Sequence, residues 1–344
     1  SSKFDVDPNF GLGTVHTWNA SLEHRVTRTT SVRVSYVGSA TRGLPAALVL
    51  NRAVPNADAT FFNRQARRPD PSISNWTRLA NASDGNYAGL QLSVERRYAQ
   101  GLQYQLSYTR SRARDLASDV GFGSGDIFYS MQFAADDIFN RTGNNGPRHN
   151  DLYGPTRFDY RNIFSYNFSY ELPWRRKPGL VAAFASDWQL SGTAAYRDGY
   201  PVSIFCGANS GDCNLDGVTQ DRPNVVDPSV IGTQFKDAPS NPSEANLVRI
   251  SPTAFDQNVA PGARGNLGRN LFRTDSSFTM DVAIVRNLRL GDQHRVQLRL
   301  EVYDLFNNTY AGQPGLSLGS LGNFGRITGV SGNRSLQIAA KYYW

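Results

Sequence analysis

The chain is poor in cysteine, histidine and methionine: 2, 4 and 2 of 344 residues. So few thiols rule out a disulfide scaffold, and no Cys/His group has the spacing of a zinc site. The histidines, His16, His24, His149 and His294, show no H-E-x-x-H pattern. Gly121–Gly125 lacks the lysine of a phosphate loop, and Asp136-Asp137 reads as a solvated loop pair rather than a catalytic dyad. No enzyme signature emerges, and the chain is read as a non-enzyme. Apolar runs are short. None approaches the roughly 18 residues of a membrane-crossing helix. Residues 1–30 lack the basic start and apolar core of a secretory signal. Charged residues are scarce at 19%. The net charge of +7 is scattered, apart from Arg67-Arg68 and Arg175-Arg176-Lys177, which argues against a nucleic-acid partner.

What is abundant suits strands and turns. Aromatics reach 12%, with 16 Tyr, and there are 31 Gly. Apolar and polar residues alternate in segment after segment, the period of a strand with one wet face. Trp18, Ala20 and Leu22 alternate with Asn19, Ser21 and Glu23. The same pattern runs through 32–36, 88–95, 102–109, 158–172, 188–196, 278–284, 295–302 and 336–344. About nine strands result, close to the ~9–11 residues a tilted strand needs to cross a membrane. Two all-β readings share this pattern. In a soluble sandwich the apolar face is the core; in an outer-membrane barrel it faces lipid and the polar face lines water.

Connection lengths separate the two. Short links near 26–30, 98–101 and 291–293, and a medium one at 173–185, alternate with long ones at 39–86, 113–155, 198–275 and 307–330. Loops beyond ~12–15 residues are uncommon in compact soluble domains, whereas outer-membrane barrels pair short periplasmic turns with long external loops. Trp18, Tyr36, Tyr108, Trp174, Trp188, Tyr196 and Trp344 fall near strand ends, where an interfacial girdle would lie. The fold expected is therefore an antiparallel transmembrane β-barrel in the bacterial outer membrane, contacting bilayer and lipopolysaccharide. With residue 344 on the periplasmic side, nine strands place residue 1 outside. Bacterial barrels have even strand numbers, so about nine or ten strands are expected here as part of a larger wall.

The loops hold the candidate sites. Asp212, Asn214, Asp216, Gly217 and Asp221 read D-x-N-x-D-G-x-x-x-D, the first half of a calcium loop. Position twelve is Pro223 instead of the usual Glu. A Ca2+ site in an external loop is one reading, and an Asx-rich turn the other. No cofactor is otherwise required. Cys206 and Cys213 are expected to form a disulfide bracing this loop, with two free thiols as the alternative. Phe61, Trp76, Phe128 and Tyr129 are candidates for a ligand mouth, or for packing of loop on loop.

Leu300–Asn308, with its Leu-Phe-Asn exit, together with Gly325–Gly329 and the strand ending at Trp344, resembles the ending of TonB-dependent outer-membrane transporters. Asp7–Phe10, Trp18–Leu22 and Tyr36–Ser39 are similar to the mid-barrel of their Oar-like branch, which carries a carboxypeptidase-regulatory-like domain. The resemblance implies a barrel of about 22 strands, an N-terminal plug and a TonB-contacting segment. Residues 1–344 would then be the C-terminal part of the barrel domain, with neither plug nor full wall, serving uptake of a large solute. Leu336, Ile338, Ala340, Tyr342 and Trp344 resemble the signal read by the outer-membrane assembly machinery through strand addition. A passive porin-like or adhesive barrel, or a soluble secreted β-sandwich binding protein, are the alternatives.

Overall fold

The structure, a computed structural model, describes residues 1–74, 76–116, 153–173, 186–235, 250–290, 293–327 and 329–344. Nine long strands dominate: β1 (Thr14–Arg25), β2 (Thr30–Val49), β3 (Trp76–Ala99), β4 (Leu102–Asp115), β5 (Asn162–Glu171), β6 (Trp188–Arg197), β7 (Ser277–Arg289), β8 (Arg295–Tyr303) and β9 (Ser335–Tyr343). Each pairs antiparallel with its neighbours in sequence, so one sheet runs from β1 to β9 without a crossover. Among the described residues there is no α-helix, only short 3₁₀ turns.

The register explains the alternation. Leu22, Val34, Leu92, Tyr108, Phe164, Tyr196 and Phe278 form one cross-strand row. Leu102, Tyr170, Leu190, Ile284, Leu300 and Ile338 form another. The intervening row, Glu23, Arg33, Ser93, Ser107, Ser165, Ala195 and Thr279, carries small and polar side chains to the opposite face. A slip of one residue would invert every one of these.

Among the described residues, no second sheet lies against the apolar face. Leu22 is 74%, Leu336 66% and Ile338 84% exposed, and the other sheets among the described residues are two-stranded pairs. This removes the β-sandwich alternative, in which that face would be core. Trp18 lies flat across β2 at Gly38, where a Cβ would come within 2.3 Å of the indole nitrogen. Glycine is required there by the close approach.

The buried core lies instead at the end of the sheet that carries the long connections. Ala46, Ala47, Leu48, Ala80, Ala82, Leu116 and Tyr153 form one cluster. Val202, Ile204, Phe235, Ile250, Phe255, Leu267, Phe272, Leu318 and Phe324 form a second, joining residues 198–276 to residues 304–334. Two buried ion pairs pin the 198–276 connection to the strand rim: Arg269 with Asp115, and Arg273 with Asp159.

Two expectations shift in detail. The link expected at 39–86 shrinks to 50–75, because β2 and β3 continue pairing to Val49 and Trp76. Ala46, Ala47 and Leu48 are buried on both faces, so alternation vanishes although the strand persists. The strand expected from Phe158 begins at Asn162. Asp159 closes a turn back to Thr156 and accepts the Ala113 amide at 2.7 Å, holding 156–159 out of the ladder. A further short strand, Lys3–Val6, runs parallel to β3 at Trp76–Leu79, setting Ser1 at the long-connection end.

Candidate functional site

The polar face of β1–β3 carries hydrogen-bonding groups in register. The Ser21 hydroxyl donates to Ser35 at 2.8 Å, and Arg33 grips Glu23 through Nε and Nη2 at 3.0 and 2.6 Å. Ser21, Arg33, Ser35, Gln91 and Ser93 border a recess of about 270 Å³. Every lining group is a donor or acceptor, so this wall suits water and polar solutes rather than an apolar ligand.

The densest polar cluster lies in the 198–276 connection. The spacing of Asp212, Asn214 and Asp216 lets each carboxylate or amide reach a backbone N–H a few residues on. Asp212 accepts from the Asp216 and Gly217 amides at 3.0 Å each. Asp216 accepts from Val218 at 2.9 Å, and Asp221 from Asn214 at 3.1 Å. The Asp216–Val218 bond, and that from the Asp216 amide to Asn214 Oδ1 at 3.1 Å, close Asx turns of the kind Asp and Asn favour, and Gly217 has the positive φ of 86° that glycine adopts readily. Cys206 and Cys213 are joined by a disulfide at the base of the same loop.

All four side chains are buried, Asp221 least so at 9% exposure. Burial pushes the Asp212 carboxyl up to about 6 and the Asp221 carboxyl up to about 7, and repulsion from Asp216 adds to both. Buried carboxylates need countercharge, and it arrives from the 50–75 connection. Arg52 meets Asp216 at 2.8 Å and Arg64 approaches Asp212 at 3.7 Å. Arg68, itself buried, donates to the carbonyls of Asn51 and of Gly217, and Arg67 donates to the Leu215 carbonyl. Burial pulls the Arg68 guanidinium down. The Ala53 amide also donates to the Asp216 carbonyl at 2.7 Å. Two connections distant in sequence are thus locked together through charge and backbone.

Sequence reasoning singled out the acidic half of this lock and not the basic half. Arg67-Arg68 stood out only as a local cluster. The available signal was complementarity: residues 51–70 carry Arg52, Arg64, Arg67 and Arg68 against Asp58 and Asp70. Among the described residues, no three His, Cys, Asp or Glu side chains converge as metal ligands, and Arg52 holds one oxygen of Asp216, Oδ2.

Of the expected mouth residues, Phe61 and Trp76 lie among the described residues, each with its own contacts. Trp76 opens β3, and its indole donates to Asp5 at 3.0 Å beneath the Lys3 ammonium. Phe61 packs edge-on against Phe62 under Arg64. Phe128 and Tyr129 lie outside the described residues. On β9, Leu336, Ile338, Ala340 and Tyr342 are exposed on the apolar face, and Trp344, one residue beyond the strand, stacks on Tyr342. Tyr342 in turn stacks on His294 and hydrogen-bonds it at 2.7 Å. Among the described residues β9 pairs on one side, with β8, and stands at the edge of the sheet.

Residues 1–337 match the family model described as outer membrane beta barrel domain. No curated protein matches the chain. Among solved structures, the chain is similar to the outer membrane transporter YddB from Escherichia coli, with 9% identity and a TM-score of 0.45, over 97% of this chain and 33% of that one. It is similar to the ferric-catecholate import receptor Fiu from E. coli K12, with 11% identity and a TM-score of 0.44, over 98% and 28%. The FrpB iron transporter from Neisseria meningitidis gives 10% identity and a TM-score of 0.42, over 99% and 32%. The chain spans a third or less of the length of these structures.

Proposed function

The chain belongs to the outer membrane beta barrel domain family, and from that premise we propose that it forms wall, lumen lining and external loops of a TonB-dependent, Oar-like transporter that takes up a large solute. The observation that carries this reading is the unbroken division of faces across nine strands. Apolar rows face one way, and hydrogen-bonding rows such as Ser21-Ser35-Gln91 face the other. The long connections, two of them tied together by ion pairs, form the external side. The open edges at β1 and β9 suit a wall completed by further strands. TonB would act through a plug, the outer-membrane assembly machinery through β9, and the lipid bilayer along the apolar face.

Planar-bilayer conductance of the full-length gene product tests the transport reading. A plugged transporter stays closed at rest. Steady open-channel conductance would overturn it in favour of a passive porin.

Calcium at the Asp212–Asp221 loop is kept as a second reading on the D-x-N-x-D-G spacing alone. An ion there would have to draw Asp216 away from Arg52.

A further inference from the structure

On β4 the apolar-face parity is carried by Leu102, Tyr104, Leu106 and Tyr108, and then continues as Arg110, Arg112 and Arg114. Alternation along a strand puts all three arginines on the face that meets lipid. A charge within the hydrocarbon is costly, so these residues must lie beyond it. Tyr108 marks the boundary: its ring joins the apolar row, and its hydroxyl donates to Asn162 at 2.7 Å. At about 3.3 Å per residue, Arg110 sits roughly 7 Å and Arg112 roughly 13 Å along the strand past that tyrosine, toward the long-connection end.

Arg114 is already used, donating to the Tyr153 carbonyl at 3.1 Å with its guanidinium over the Tyr153 ring. Arg110 and Arg112 are exposed. Arg110 has one marginal contact, 3.5 Å to Asn162. Arg112 has no hydrogen-bond or ion-pair partner among the described residues. Among the described residues, acids of that face are engaged elsewhere: Asp84 with the Gly43 amide and Arg42, Asp198 with Asn162 and Tyr196. Beside the two arginines, Leu90, Ala88 and Gly38 form a low apolar shelf closed by the Trp18 ring. Two like charges two residues apart on one face repel unless an anion lies between them. At the opposite end of the same face the bases are engaged: Arg286 is buried against Trp188 and Arg96 reaches the Ala99 carbonyl.

We propose that Arg110 and Arg112 bind the phosphate groups of a phosphorylated outer-leaflet lipid, the lipid A part of lipopolysaccharide, with its acyl chains lying against Leu90 and the apolar rows below. The proposal rests on the barrel reading, and on the long connections lying outside the cell. Guanidinium forks match phosphate oxygens and bind them in pairs of hydrogen bonds.

The test is native mass spectrometry of the full-length protein in micelles with bisphosphorylated lipid A and with the same lipid dephosphorylated. Wild type should prefer the phosphorylated form. Arg110→Gln/Arg112→Gln should weaken that binding roughly thirtyfold, from the loss of two basic residues at an anionic surface. Arg110→Lys/Arg112→Lys should keep most of it, and Arg28→Gln, in the opposite turn, all of it. Inorganic phosphate should not compete. Heat-modifiable migration confirms that each variant folds. Equal binding by the double Gln variant, or indifference of wild type to the lipid phosphates, would overturn the assignment. Failure of wild type to insert into vesicles at all would sink the barrel reading instead, which separates the two failures.

Discussion

Raising the pH should loosen the clasp between the two long connections, 50–75 and 198–276, in the absence of divalent cations. Asp212 and Asp221 stand at about 6 and about 7 in the folded protein, against 3.8 when exposed. Both are raised, so the folded state holds protons that the unfolded loop releases. The associated stability is fully present below about pH 4 and is lost as the pH climbs through 6 and 7. For Asp221, about three units at 1.36 kcal/mol each amounts to roughly 4 kcal/mol. Asp212 and Asp221 both feel Asp216, so their losses overlap, and the pair together is of that same order. A change of 4 kcal/mol is close to three orders of magnitude in the opening equilibrium. Hydrogen exchange of residues 206–221 in chelator, corrected for intrinsic rates and compared at about pH 5 and about pH 8, measures it directly. Protection should fall by two to three orders of magnitude, and Asp221→Asn should remove the larger part of the dependence, leaving the smaller part that belongs to Asp212. Millimolar calcium at the higher pH separates the two readings of the loop. Restored protection supports an ion replacing Arg52 at Asp216; no change leaves the arginine clasp as the whole of the site. Protection that is flat or rises with pH in chelator would refute the burial argument itself.

Three further outcomes follow from single features. Ile338→Lys, on the apolar face at 84% exposure, should cost about 2–4 kcal/mol in lipid if it lies near the midplane, while Gln337→Lys on the other face should cost little, as read by urea unfolding in vesicles; equal costs would contradict the inverted faces. Asp304 is buried, neither carboxylate oxygen has a hydrogen-bond partner among the described residues, and its own amide donates to Asp281; Asp304→Asn, which keeps the left-handed φ of 51°, should raise stability by about 1–2 kcal/mol in the same assay. Reducing Cys206–Cys213 reopens a loop of eight residues and should cost about 2.5 kcal/mol of local stability, seen as faster proteolysis between 203 and 221.

The strands were legible wherever one face was dry and the other wet. The rows through Leu22, Tyr108 and Phe278 are the alternating residues that the chain displays. Legibility failed where both faces are covered, as at Ala46–Leu48, and where a capping Asp displaced a strand start, as at Asp159. For the site, the Asp212–Asp221 spacing was readable because Asx turns are local. Its arginine half was not, since Arg68 reaches Gly217 across 149 residues and no periodicity joins them.

By itself, then, the amino-acid order determined the period, the two faces and the placement of turns, because side-chain direction in a strand depends on nothing beyond parity. The tertiary structure alone decided which faces stay uncovered, which loops share a core, and which charges meet. Those depend on contacts between segments far apart in the chain, whose free energy is gained only when the sheet has brought them together.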